Sequence, residues 1–385
     1  MVHLLTVLSV ASITPAQADV PEYVQSWGVQ VGIDAARSDA LAAFHTSLRA
    51  TQRGEKKTRI LQFGASHTAA DLLTGYMRRD LQKRFGSGGH GWFMPARPWK
   101  TYRHQDLVFE NSKSKRLRWQ WDRVLQGGPF EHPDGMLGLA GMTVRADNKR
   151  QWAKFRTART GPNASASHLE LWYATQPGGG DLYLKVDNNR KRKRIRTRGK
   201  NNVLGFFELK LEPGSHRFEL KPKGNGETKL LGAVLENDKP GVVLDTLGIN
   251  GSRARSMLVW DDKMWRSLVA RRDPALVILA YGTNESGDTD EPIAVYERNL
   301  RKVLRKVRKA APSASCVLFG PTDRPVVHRK SKRDPRPWFS RRERTAQIVD
   351  VQRKVSREAG CGFFDAVAAT GGTFSIVSWA HAEPR

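Results

Sequence analysis

The sequence predicts an α/β protein: a three-layer α/β/α arrangement around a parallel sheet, interrupted by a small inserted β-sandwich. Two observations carry this prediction. Short apolar runs alternate with amphipathic helical stretches in the first and last parts of the 385-residue chain. Alternation of that kind with short loops favours a parallel sheet buried on both faces. Between them, from Trp152 to Leu235, strand-like runs succeed one another with glycine- and proline-rich turns and no helix of useful length, the pattern of a sandwich.

The elements follow in order. Met1 to Ala18 reads as a secretory leader, apolar from Leu4 to Ile13 and ending in the small-residue site Pro15-Ala16-Gln17-Ala18, although its first residues include no lysine or arginine. Lys57 to Phe63 is a strand. Thr68 to Phe85 has helical spacing, with Leu72, Leu73, Tyr76, Met77, Leu81 and Phe85 on one side. Gly86-Ser87-Gly88-Gly89-His90-Gly91 ends that helix. The insert supplies strands at Leu169–Tyr173, Asp181–Val186, Phe206–Leu211, His216–Leu220 and Leu230–Val234, parted by turn phrases such as Pro177-Gly178-Gly179-Gly180. The α/β pattern resumes with a strand at Val242–Leu244, a helix over 254–269 and a strand at Leu276–Ala280. A basic helix at Ile293–Ala310, a strand at Cys316–Gly320, a helix over 344–359 and a strand at Phe363–Phe364 complete it. The chain thus divides into a leader 1–18, a first α/β part 19–145, an insert 146–240 and a second α/β part 241–385.

The formal charge is +27, and the leader contributes none of it. Such a surface attracts polyanions. Arg190-Lys191-Arg192-Lys193-Arg194-Ile195-Arg196, continuing to Lys200, is a candidate patch for an acidic polymer and is expected to lie partly in a hairpin. No named nucleic-acid fold, metal-ligand spacing or phosphate-binding loop is present, so no specific nucleic acid, metal or cofactor is expected. No interior run is long enough to span a membrane. Cys316 and Cys361 are too few for a disulfide scaffold and leave the compartment open.

Three short phrases carry chemistry. Phe63-Gly64-Ala65-Ser66-His67-Thr68 sets a serine at a strand-to-helix turn, where a hydroxyl is exposed and backbone N–H groups can hold an oxyanion. Asp245-Thr246-Leu247-Gly248-Ile249-Asn250-Gly251 and Ala280-Tyr281-Gly282-Thr283-Asn284-Glu285 fall at later strand ends. Active sites of parallel sheets gather at strand C-terminal ends. Each residue also has an ordinary structural use: Ser66 and Asn284 as helix caps, Gly248 as a tight turn, His67 as a locally packed side chain.

These phrases, in this order, resemble the SGNH (GDSL-like) hydrolases, and the organisation is similar to the bacterial cell-wall and polysaccharide O-acetylesterases of that family that carry a β-sandwich, or jelly-roll-like, insert. The resemblance spans roughly Lys57 to Asp365. It implies Ser66 as nucleophile, and the backbone N–H groups of Ser66 and Gly248 with the Asn284 amide as oxyanion donors. One such donor is worth ~3 kcal/mol in the transition state. It implies a cofactor-free serine ester hydrolase acting on O-acetyl groups of peptidoglycan or an extracellular polysaccharide, in the periplasm or outside the cell.

Two departures stand out. Position 65 is alanine where the family usually has aspartate. The family's base comes from an Asp-x-x-His block near the C-terminus, and no such spacing follows Asp365. Either the sequence is truncated or another histidine substitutes. His381 is the first candidate, with Asp365 to orient it, and His328 the second. The competing expectation is a non-catalytic glycan- or polyanion-binding protein on a degenerate hydrolase scaffold. The oligomeric state is left open.

Overall fold

A computed structural model describes residues 31–35, 38–124, 135–329 and 337–381; the leader Met1 to Ala18 lies outside them. The chain opens with β1 (Ile33–Asp34), α1 (Ala42–Gln52), β2 (Lys57–Gly64), α2 (Ser66–Ala69) and α3 (Leu73–Phe85). Next come β3 (Gly89–Phe93), β4 (Leu107–Asn111), β5 (Gln120–Arg123), β6 (Met142–Ala146), β7 (Ala153–Thr157) and β8 (Ala166–Thr175). They are followed by β9 (Asp181–Val186), β10 (Lys193–Arg196), β11 (Val203–Gly214), β12 (Arg217–Pro222) and β13 (Thr228–Glu236). The second α/β part holds β14 (Gly241–Gly248), α4 (Asp262–Arg272), β15 (Leu276–Ala280), α5 (Ile293–Ala310) and β16 (Ser315–Phe319). Last are β17 (Val326–Arg329), β18 (Pro337–Ser340), α6 (Glu343–Glu358), β19 (Gly362–Phe364), α7 (Ala366–Ala369) and α8 (Ser375–His381).

Six strands form the central sheet in the order β1-β19-β16-β15-β2-β14. All neighbours are parallel except the short edge strand β1. Successive residues of a strand point to opposite faces, and the buried side chains divide accordingly. Ile60, Ile278 and Val317 pack with Phe44 and Leu48 of α1 and Met77 and Leu81 of α3. Leu61, Leu279 and Leu318 face the other way, toward Leu268 of α4, Leu304 of α5 and Val355 of α6. This is the three-layer arrangement expected. Cys316 and Cys361 form a disulfide that ties β16 to the residue preceding β19, a cross-link the cysteine count alone did not reveal.

The sandwich consists of a five-stranded sheet, β10-β9-β12-β7-β4, and a six-stranded one, β11-β8-β13-β6-β5 with β3 on β13. Strands β4, β5 and β6 belong to these sheets, so the sandwich draws in chain from before Ala146. The basic run forms the expected hairpin: β10 pairs antiparallel with β9. The sandwich core is continuous with one face of the central sheet. Trp260 makes the join. Its ring lies 6.0 Å from that of Phe63 on β2, and it fills the space beside Gly141, where a Cβ would come within 2.5 Å of the indole.

Two helices differ from the sequence reading. The helix expected over Thr68–Phe85 is broken into α2 and α3 at Asp71, which has φ 51°. The Asp71 carboxylate is fully buried and accepts from Thr74, Thr246, Arg78 and the Gln105 N–H. Tertiary bonding thus overrides local propensity, and Leu72, expected on the apolar side, is exposed. The helix expected over 254–269 is a 3₁₀ turn, Ala254–Val259, followed by α4, which Asp261 caps through the Met264 N–H. Beyond Asp323, β17 and β18 pair antiparallel.

Candidate active site

Strand order decides what meets at the site. β2 lies between β14 and β15, and in register Gly64 stands level with Gly248 on one side and Ala280 on the other. Ser66 follows Gly64 by two residues, and Asn284 follows Ala280 by four. The three sequence phrases are therefore adjacent at the C-terminal end of the sheet.

Hydrogen bonds link them. The Gly64 carbonyl accepts from the Ile249 N–H at 3.1 Å and from Ser252 Oγ at 3.2 Å. The Asn284 amide donates to the Ser252 carbonyl at 2.9 Å. An amide carries two N–H donors, and the second has no partner among the described residues. Buried Glu285 braces the Asn284 loop, accepting from the N–H groups of Ala254 and Gly282 at 2.8 and 3.0 Å. Burial pushes its carboxyl upward from the usual range.

Ser66 is the first residue of α2, and Ala65 holds the cap position. The capping alternative for Ser66 therefore does not apply. The serine is exposed, and no hydrogen bond engages its hydroxyl among the described residues. Gly248 owes its identity to close approach. A Cβ there would lie 2.1 Å from the Ala69 N of α2, so glycine lets β14 press against the helix that carries Ser66. Asn284 precedes a short 3₁₀ turn without capping it through its side chain.

Beside these residues lies a cavity of ≈ 170 Å³, mostly apolar, bordered by His67, Leu73, Tyr281, Asp323, Ile376 and Trp379 among others. Burial lowers the pKa of His67. Asp323 escaped the sequence reading as a site residue. It follows β16 and accepts from the N–H groups of Phe374 and Ile376; burial raises its pKa, and its Oδ2 has no hydrogen-bond partner among the described residues. His381 ends α8, whose Trp379 borders the cavity, and is exposed. Asp365 is not joined to it: that carboxylate caps α7 through the Ala368 N–H and pairs with Arg353 at 2.7 Å. His328 is occupied elsewhere, stacked 3.9 Å from Trp338 and bonded to Ser340 Oγ at 2.8 Å. Among the described residues no histidine hydrogen-bonds Ser66 Oγ.

Residues 219–382 match the GDSL-like lipase/acylhydrolase family. Over that span the chain is similar to GDSL-like acylhydrolases. The match includes Gly248 and Asn284, begins within the sandwich and leaves Ser66 outside. A solved structure described as a peptidoglycan O-acetylesterase in action superposes with a TM-score of 0.67 at 23% identity, over 90% of this chain and 89% of that one. A family two carbohydrate esterase from Cellvibrio japonicus aligns at 11% identity and TM-score 0.24, over 66% of this chain and 85% of that one. The salicylyl-acyltransferase SsfX3 aligns at 13% and 0.26, over 72% and 85%. Scores that low add nothing to the fold assignment. No curated protein sequence matches the chain.

Outside the candidate site, two buried histidines form a chain. His90 Nε2 lies 3.1 Å from His104 Nδ1, and His104 Nε2 lies 2.9 Å from the Tyr102 hydroxyl. Burial lowers the pKa of His104 to about 4, despite the opposing charge of Asp71, and holds that of His90 well below its ordinary value. Between the ordinary pKa of about 6.5 and about 4, the unfolded chain binds protons that the native state does not. Stability therefore falls as pH drops through that window, by about 3 kcal/mol from His104 alone. Asp71 extends the loss to lower pH: burial opposes its ionisation, but Arg78 holds its carboxyl well below the usual range. Urea unfolding at a series of pH values is expected to show declining stability from pH 6.5 downward. His104→Gln should flatten the first part of that decline; an unchanged profile would exclude His104 as its source.

Proposed function

We propose that the chain is a serine ester hydrolase that removes O-acetyl groups from a cell-wall or extracellular polysaccharide. The observation that supports this most is the exposed, unengaged Ser66 just beyond β2, whose neighbours in the sheet are β14, ending in Gly248, and β15, which leads to Asn284. Ser66 Oγ attacks the ester carbonyl carbon, and its proton passes to a base. The oxyanion meets the N–H groups of Ser66 and Gly248 and the Asn284 amide. The intermediate collapses with release of the sugar hydroxyl, which takes the proton, and leaves an acetyl-serine. Water then attacks, and acetate leaves.

For the base we retain His381, carried by the segment that follows β19. His67, which borders the cavity, is its competitor. The structural relative described as a peptidoglycan O-acetylesterase favours peptidoglycan as the polymer, and the Cys316–Cys361 disulfide favours an oxidising compartment, periplasmic or extracellular. A second reading, a binding protein without turnover, draws on the lack of a histidine bonded to Ser66 among the described residues.

A fluorophosphonate probe separates the two. Intact mass followed by peptide mapping should place a single adduct on Ser66, because only an activated serine reacts rapidly. His381→Ala should then slow labelling while His67→Ala does not; the reverse would transfer the base to His67. A folded chain that acquires no adduct would overturn the hydrolase reading.

A further inference from the structure

A second cleft lies in the sandwich, away from Ser66. It has a volume of ≈ 640 Å³ and is walled by the loop after β3 and by β4, β5 and the turn between them. Among the described residues, six cations border it and no carboxylate does. Arg145 is neutralised by Asp122 and Glu227. Lys100, Lys113, Lys115 and Arg118 are exposed, and none has a carboxylate within ion-pair distance among the described residues. Like charges gathered without counter-charge raise the energy of the empty cleft and favour an anionic occupant.

The rest of the wall is aromatic. Trp99 and Trp121 meet edge to face at 5.6 Å, both half-buried. Trp119 is buried beneath them, and its indole N–H has no hydrogen-bond partner among the described residues. The Arg97 Nε–H is likewise buried and unpartnered. Unmet buried donors carry a cost that an acceptor from a ligand would remove. Indole faces suit the C–H faces of sugar rings.

The cleft is tied to the candidate active site. Arg123 on β5 lies over the Trp121 ring, 5.3 Å from its centroid, and donates to the Asn250 carbonyl at 2.7 Å. Asn250 is two residues beyond Gly248.

We propose that this cleft binds a carboxylate-bearing glycan strand, the sugar rings against Trp99 and Trp121 and the carboxylates toward Lys100, Lys113, Lys115 and Arg118. The choice of a glycan over another polyanion rests on the proposed function; binding itself does not require a working Ser66.

The test uses the full chain and three probes: a hexamer of galacturonate, the neutral maltohexaose and a thymidine oligonucleotide. Titration calorimetry should show galacturonate binding that weakens as salt rises, with little binding of maltohexaose. Trp99→Ala should weaken it about tenfold, and so should the triple variant Lys100→Ala, Lys113→Ala, Lys115→Ala, which should also reduce the salt slope. All three lysines are exposed, so that variant should melt as the wild type does and hydrolyse a small soluble acetyl ester at the same rate. Galacturonate binding unaffected by both variants would overturn the proposal, as would its loss on replacing Arg190, Lys191 and Arg192 instead. Tighter oligonucleotide binding, lost in the same cleft variants, would overturn the glycan assignment. Failure of ester turnover with cleft binding intact would count against the proposed function alone.

Discussion

Ser66→Ala is expected to lower kcat for acetyl-ester hydrolysis by about 10⁴-fold or more, the scale of loss when a serine hydrolase loses its nucleophile. The fold should not register the change. Ser66 is exposed, its hydroxyl makes no hydrogen bond among the described residues, and it does not cap α2. Exposed substitutions of this kind usually shift stability by less than about 0.5 kcal/mol. What turnover remains would come from Asn284 and the backbone donors acting on bound ester with water as nucleophile. The measurement is steady-state hydrolysis of a soluble acetyl ester by both chains, with melting temperature as the control. Equal rates would remove Ser66 from the mechanism.

Arg272→Met is expected to destabilise the chain by about 3–5 kcal/mol, the range for stripping a cation from a buried ion pair. Arg272 is buried, donating to Asp245 at 2.6 and 3.0 Å and to Glu236 at 2.8 Å. Glu236 would keep Arg59 and Lys57. Asp245 would keep only neutral support such as the Trp92 N–H at 2.8 Å, leaving a carboxylate in the sheet with no cation. Asp245 sits three residues before Gly248 on β14, so distortion there should also lower turnover. Urea unfolding of Arg272→Met and of Arg272→Met with Asp245→Leu provides the check. The second change should restore part of the loss, because it removes the stranded charge; a double variant as unstable as the sum of two losses would refute this account.

Much of the fold was legible because its signals are local. Over Ile293–Ala310, the 3.6-residue recurrence of Tyr296, Leu300, Val303, Leu304 and Val307 marks one buried face, and α5 occupies that span. Leu276–Ala280 is a purely apolar run between turns, as a strand buried on both faces must be. The break at Asp71 was not legible, since it depends on Thr246, distant in sequence, and on the Gln105 backbone. Strands β4 and β5 are short and carry polar side chains, so they read as loop until their partners are known. At the site, Ser66, Gly248 and Asn284 stood out because each closes or soon follows a strand. Asp323 did not: its partners, the Phe374 and Ile376 N–H groups, come from a segment some 50 residues later. An aspartate soon after a strand end that faces the same sheet edge as the serine was the one available signal.

The apolar interior that runs unbroken from the sandwich into the central sheet bears on how the molecule behaves as a material. Trp260 leans on Phe63 from one side and on Gly141 from the other, so neither half can loosen without baring the flank of its neighbour. Heat should therefore melt both together, as one cooperative transition. The sandwich is not a cassette to be lifted out and grafted elsewhere. For the same reason, force applied through a polymer held in the Trp99–Trp121 cleft would reach the strand that leads to the serine without passing through a flexible joint.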